Sequence, residues 1–280
     1  MDYKNGKWAS KILELQHDNG SWGFFHGCGR TKENPFSTEQ ALGKLENLGF
    51  TIDDRPIQMA VKYMNSCLIG KENIPDRVEK VHDWKIFTDL MLSTRIKRFT
   101  QENTHANEIS DKWAEIVNCS FTQNKFDQDT YNSIYHKILN PEKRKRIIGF
   151  MNYYLISLLA NKLEKDIEPT FFEYVLNYNT GIYYFGYDKA IKILPEEFVS
   201  KETGRYMRQI ELLTGYENKK CKKQLHFIKE WLEKNKTNKN EWDMGNFTKN
   251  EIQLSDSWRK AEDRIKDCTY VINKIMDIMR

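Results

Sequence analysis

Long uncharged apolar runs are missing from this sequence. The best candidate, Ile147 to Ala160, falls short of the roughly 18 residues a membrane-spanning helix needs and is interrupted by Asn152. The start, Met1 to Gly6, has no apolar run behind a basic residue, so no secretion signal is expected and a cytoplasmic location is. An excess of one charge is missing too: 44 basic residues against 40 acidic leave a net charge of +4, too small to suggest a nucleic-acid partner. The basic runs Lys143–Arg146 and Lys219–Lys223 carry no interleaved stacking aromatics, so they read as solvated helix faces or loops. Paired cysteines are absent. Cys28, Cys67, Cys119, Cys221 and Cys268 are odd in number and nowhere spaced Cys-x-x-Cys, which argues against a disulfide framework or a local zinc site. A zinc site assembled from distant residues, such as Cys268 with a histidine, stays open. There is no glycine-rich phosphate loop, no His-Glu-x-x-His and no Gly-x-Ser-x-Gly elbow.

What is present is helical periodicity. Ile57, Ala60, Val61 and Met64 fall at i, i+3, i+4 and i+7, and Ile86, Phe87, Leu90 and Met91 form a similar stripe. Further stripes are Ile147, Ile148, Met151, Leu155, Leu158 and Leu159; Phe227, Ile228, Trp231 and Leu232; and Ile272, Ile275, Met276 and Met279. Strand alternation is nearly absent, so the fold class expected is all-α, with about ten helices. Helix starts are marked by short polar side chains that can accept hydrogen bonds from first-turn N–H groups. Ser37 with Gln40 fits a capping box, and Asp53-Asp54-Arg55-Pro56 places carboxylates and a proline at a first turn. Asp83, Ser200 and Asp267 read as further helix starts. No Ser/Gly/Pro-rich linker divides the 280 residues, so a single domain spanning 1–280 is the simplest organisation.

An imperfect repeat adds detail. Helix, polar turn, tryptophan and glycine follow one another through Trp8–Leu15 and Gln16–Gly23, and again through Phe227–Lys234 and Asn240–Gly245. Stacked helical hairpins are implied, since one hairpin alone cannot bury its apolar face. The Gln16-x-x-x-Gly20-x-Trp22 turn, the capped helix from Ser37 and the segment Leu48–Val61 resemble one repeat of the terpenoid cyclase and protein prenyltransferase superfamily. The likeness is good over about residues 8–68, weaker over about 221–246, and architectural between them. It implies an α/α toroid of inner and outer helices around a central cavity. Two departures bear on activity. The Asp-x-Asp-Asp acid of the cyclases is reduced to Thr51-Ile52-Asp53-Asp54, and the Asp-x-Cys zinc pair of the prenyltransferases is reduced to Asp267-Cys268.

On that toroid, inner-helix ends line the cavity mouth, where the resemblance places Gln40, His82, Asp83, Trp84, Asp89, Asn152, Tyr153, Tyr154, Arg205, Tyr206, Asp256, Trp258, Arg259 and Asp267. Asp83 or Asp256 is the candidate acid or base. His82, Trp84, Asp89, Tyr153, Arg205, Tyr206, Trp258, Arg259 and Asp267 are candidate ligand-binding residues, the arginines as anion holders and the rings as faces for a cationic or flat apolar ligand. Each has a plainer role as well: Asp83 as a helix cap, the aromatics as filling between helices, Arg259 and Asp267 in structural ion pairs, and Cys268 as an inert buried thiol rather than one activated at a helix start. The expected partner is a small, isoprenoid-like molecule, with no metal and no cofactor. The alternatives are a non-catalytic ligand-binding or protein-interaction module, and, by fold analogy, a carbohydrate-processing toroid with two carboxyls about 5–9.5 Å apart.

Overall fold

A computed structural model describes residues 3–26, 35–123 and 125–279; Cys28 lies outside the described residues. Among them the chain is 55% helix and 2% strand, the all-α class expected. The helices are α1 (Lys7–Leu13), α2 (Thr38–Asn47), α3 (Arg55–Leu68), α4 (Trp84–Lys97), α5 (Thr104–Ser120), α6 (Gln128–Leu139), α7 (Tyr153–Leu159), α8 (Glu168–Asn177), α9 (Lys201–Leu213), α10 (Lys219–Gln224), α11 (His226–Lys234), α12 (Lys249–Ile252) and α13 (Ala261–Ile278). The described residues thus hold thirteen helices rather than about ten, several of them short, such as α10 and α12. A two-residue hairpin, β1 (Phe121–Thr122) with β2 (Lys125–Phe126), pairs Phe121 with Phe126.

Two compact units make up the chain, Met1–Trp113 with His136–Ile148, and Ala114–Tyr135 with Gly149–Arg280. In the first, α3 packs along α4, turning Ile57, Ala60 and Met64 inward, all of them fully buried. Helix α4 is enclosed on every side: each residue from Leu90 to Ile96 is buried, including Ser93, Thr94 and Arg95. That explains why its apolar periodicity is weak, since a helix surrounded by protein has no wet face to alternate with. In the second unit the hairpin supplies Phe121 and Phe126 to an aromatic cluster with Phe150, Phe171 and Tyr174, whose ring centroids lie 4.9–6.2 Å apart. Rings in this range prefer edge-to-face or tilted contacts, as most of these are.

The helix starts follow the cap chemistry. Ser37 Oγ accepts from Gln40 N–H at 3.3 Å while Gln40 Oε1 accepts from Ser37 N–H at 3.3 Å, so the capping box is complete. Asp83 caps α4, Ser200 caps α9, and Asp54 precedes the proline-bearing first turn of α3. Two expectations are overturned. The stripe from Ile147 to Leu159 is not one helix, because Asn152 caps α7 by accepting from Leu155 N–H at 3.0 Å and the chain before it is extended. Asp267 does not start a helix either. α13 begins at Ala261, which places Asp267 and Cys268 well inside it. The capping signal misled because a buried acidic side chain can find backbone N–H groups from a neighbouring segment as well as from its own first turn.

Three hydrogen bonds of the internal repeat recur in both copies. Trp22 Nε1 donates to Ile12 O at 2.7 Å and Trp242 Nε1 to Leu232 O at 2.8 Å. Trp22 N–H donates to Thr38 Oγ1 at 2.9 Å and Trp242 N–H to Thr269 Oγ1 at 3.0 Å. Between helix and tryptophan, His17 N–H bonds to Ser21 O and Thr237 N–H to Glu241 O, both at 2.8 Å. In each copy a buried indole plugs the end of the preceding helix, and its N–H adds a second donor to a terminal carbonyl that also accepts a backbone N–H, from Leu15 in the first copy and Asn235 in the second.

Candidate functional site

In the first unit the residues His82, Asp83, Trp84 and Asp89 stay near one another because they open α4, but their polar atoms are occupied. Asp83 Oδ1 accepts from Ile86 N–H at 3.1 Å and Oδ2 from Glu142 N–H at 2.9 Å. Burial raises its affinity for a proton, yet the backbone donors and Lys145 outweigh this and hold the carboxyl below its usual range. Such a group is ionised at neutral pH and cannot serve as a general acid. His82 Nδ1 lies 2.9 Å from Arg146 O, Asp89 is held by Lys85 at 2.5 and 2.6 Å, and the Trp84 ring packs near Phe87. Burial nonetheless pushes the Asp89 carboxyl upward against the Lys85 contact.

The same unit holds a buried ion pair that sequence reasoning missed. Glu39, second residue of α2, is fully enclosed and accepts from Arg95 Nε at 3.2 Å and Nη2 at 3.0 Å, while its other oxygen lies 3.8 Å from His26 Nδ1. Asp76 accepts from the N–H groups of Phe25 (2.5 Å) and His26 (2.7 Å). No spacing rule links positions 39 and 95, since they meet only when α2 and α4 pack.

In the second unit, Asp267 is completely buried, and its Oδ2 accepts from Leu254 N–H, Ser255 N–H, Ser255 Oγ and Trp258 Nε1 at 2.7–2.9 Å. Its task is to organise the turn before α13, with Trp258 as one of its donors. Asp256 and Arg259 are exposed on that turn. Arg264 forms a two-pronged bond with Asp243, 2.7 Å on each arm, which holds the Asp243 carboxyl well below its usual range. Cys268, inside α13 and fully buried, has its thiol pushed up to about 12 by burial, which fits the inert buried thiol read from the sequence rather than an activated thiolate. Burial likewise raises Cys67 to about 11 and Cys221 to about 12. Among the described residues no group of three or more His, Cys, Asp or Glu side chains could hold a metal ion.

The remaining predicted residues converge on one turn, 181–187, which reads Gly-Ile-Tyr-Tyr-Phe-Gly-Tyr. Tyr183 O accepts from Tyr153 N–H at 3.2 Å and Tyr183 N–H donates to Met151 O at 3.1 Å, so the turn lies against the start of α7. The Tyr184 ring stacks on Tyr153 at 5.5 Å and 28°, with Tyr154 and Phe185 edge-on around them. Arg205 Nη1 donates to Gly186 O at 2.9 Å, and Tyr206 packs against Tyr187 at 5.2 Å with its hydroxyl donating to Ile191 O. From beneath, buried Gln209 accepts from Ile182 N–H at 2.7 Å; this fixes its amide orientation and leaves Nε2 buried without a partner. Gly181 is required at φ +62°, because a Cβ there would come within 2.6 Å of Tyr187 O.

Two features set this turn apart from ordinary packing. Tyr183 is 79% exposed and Tyr184 41%, in a chain that otherwise buries most of its rings. Tyr184 also sits at φ +106°, a backbone conformation that costs an aromatic residue about 1–3 kcal/mol and persists only where its surroundings enforce it. The residues that sequence reasoning missed are therefore Tyr183, Tyr184 and Gln209. A run of three aromatics between two glycines was the available signal for the first two. Comparison with protein-family models, with curated proteins and with solved structures finds no match to this chain.

Proposed function

We propose that this chain is a non-catalytic ligand-binding module on an α/α toroid of the terpenoid cyclase and prenyltransferase type, and that it takes a small, flat or cationic, isoprenoid-like molecule on the aromatic turn 182–186. The carrying observation is Tyr184, an aromatic residue held in a strained backbone conformation and partly exposed, where relaxed packing would favour glycine. Ring faces of this kind attract cations and apolar planes by about 0.5–2 kcal/mol per contact. Arg205, fixed to Gly186, sits at the same turn and suits an anionic end group such as a diphosphate. The two matching tryptophan turns support the toroid, because they are the element through which successive hairpins of such a fold are joined.

The binding reading is preferred to acid–base catalysis because of the two candidate carboxylates. Asp83 spends both oxygens on backbone N–H groups and is held ionised, and Asp256 is exposed on the turn before α13.

A thermal-shift screen against prenyl diphosphates, sterol-like compounds and oligosaccharides tests the proposal, since a ligand bound only by the native state raises the melting temperature. A shift with the isoprenoid or sterol class that disappears in Tyr183→Ala is the expected result. Tyr183 is exposed, so that variant leaves the ligand-free melting temperature nearly unchanged. A shift that survives Tyr183→Ala and Tyr184→Ala, or one seen only with oligosaccharides, defeats the reading.

A further inference from the structure

The stretch 218–239, which comprises α10, α11 and the turn after them, contains eight lysines against two glutamates. Its net charge of +6 exceeds the +4 of the whole chain, so the remaining residues together carry −2. The positive charge of this protein is therefore concentrated in one short helical segment. Lys219, Lys220, Lys223, Lys229, Lys234 and Lys239 are all exposed. Among the described residues, the only one of the eight lysines drawn into an ion pair is Lys236, with Glu233 at 3.4 Å.

Exposed apolar side chains lie beside it. Trp231 of α11 packs on Phe198 at 5.1 Å. The next residue, Val199, is 53% exposed, and Phe247 is 70% exposed. Both flank Gly245, whose missing Cβ would lie 2.6 Å from Val199 Cγ1 and 4.0 Å from Phe247 Cδ2. Through Trp231 and Phe198, lysine-bearing α11 thus adjoins the segment that carries exposed Val199, which meets Gly245 close to exposed Phe247.

We propose that this face docks the protein peripherally on an anionic lipid surface, with the lysines in the headgroup field and Phe247 and Val199 entering the interface. Three observations favour a bilayer. The segment contains lysine and no arginine, a set of mobile point charges suited to a diffuse layer of headgroups rather than to forked recognition of individual phosphates. The rings within it, Phe227 and Trp231, are half-buried, so they do not form the stacking platform that single-stranded nucleic acid uses. Charge is also joined to an exposed apolar contact, and stable anchoring at a membrane surface ordinarily needs two such signals.

The test is co-sedimentation of the full chain with vesicles of phosphatidylcholine alone or with about one-third phosphatidylserine, at roughly 0.05 M and 0.5 M salt. Binding is expected only to the anionic vesicles and is expected to weaken strongly at the higher salt. The triple variant K219Q/K220Q/K223Q, whose side chains are all exposed, should keep its melting temperature and bind at least about tenfold more weakly. Phe247→Ser should remove the binding that survives high salt. A control, K143Q/R146Q, neutralises two exposed cations of the other basic run and should change little. Absence of binding at low salt, equal binding to uncharged vesicles, or an equal loss in the control overturns the proposal. Tighter binding to duplex or single-stranded nucleic acid, lost in the same triple variant, would make this face a nucleic-acid interface instead.

Discussion

Residues 12–22 and 232–242 are the same turn built twice, at a constant separation of 220, and they differ where it matters most. Both copies bury a tryptophan whose indole bonds the end of the preceding helix. In the first copy Gln16 Nε2 donates to Gly20 O at 3.0 Å and to Pro56 O at 2.8 Å, and Gly20 at φ +94° lies so close to α3 that a Cβ would fall 2.4 Å from Met59 O. In the second copy Lys236 replaces Gln16 and lies 5.0 Å over the Trp242 ring, while exposed Asn240 at φ +61° replaces Gly20. The first turn is therefore clamped to a following helix, and the second is capped by a charged side chain facing solvent. The indole contact defines the motif, whereas the glutamine and glycine belong to one particular neighbour.

This comparison can be broken at several points. The largest effect is expected from Trp22→Ala and Trp242→Ala, each costing about 3–5 kcal/mol by urea unfolding, since both remove a fully enclosed ring and its hydrogen bond to the preceding helix. A small loss at Trp242 would mean that the second turn is only a look-alike. Next comes Gly20→Ala, expected to cost about 3 kcal/mol because the backbone of α3 cannot yield, against about 1 kcal/mol or less for Asn240→Ala, which meets only the left-handed strain. Equal penalties would show that the close approach to Met59 does not matter.

Smaller differences sharpen the contrast. Gln16→Leu should cost about 1–2 kcal/mol by removing the side-chain donor shared by Gly20 O and Pro56 O, whereas Lys236→Met should cost about 0.5 kcal/mol, the scale of one exposed cation–ring contact. The smallest separates the copies by pH. Asp243, where the first copy has Gly23, has its carboxyl depressed by Arg264. Its contribution of about 1 kcal/mol is complete above the ordinary carboxylate value near 4 and is lost as pH falls through the lower folded value. The protection factor of the Trp242 amide, which corrects for the intrinsic slowing of exchange in acid, should therefore fall on acidification more than that of Trp22, and Asp243→Asn should abolish that difference.

Legibility in the sequence tracked the range of the interaction. The cap at Ser37, the helix start at Asp83 and both tryptophan turns were readable because each is closed by partners within a few residues or one short hairpin. Asp267 was misread as a cap because its donors, Leu254, Ser255 and Trp258, precede it in the turn before α13 instead of following it in a first turn of its own. Glu39 and Arg95, 56 residues apart, meet only when α2 and α4 pack. Tyr153, Arg205 and Tyr206 were read as cavity-mouth residues from their places near helix starts, yet the turn 181–187 that they contact was passed over as a loop between glycines.

Helical class, cap positions and the repeated turn follow from the sequence itself, because periodicity, short polar side chains and glycines act through the local backbone. Tertiary structure decided which carboxylates are consumed by backbone N–H groups, which aromatics are left at the surface, and that Tyr184 is held in a conformation it would not choose. The physical reason is burial: desolvation and hydrogen-bond satisfaction depend on what surrounds a side chain, and those surroundings come from residues far along the chain.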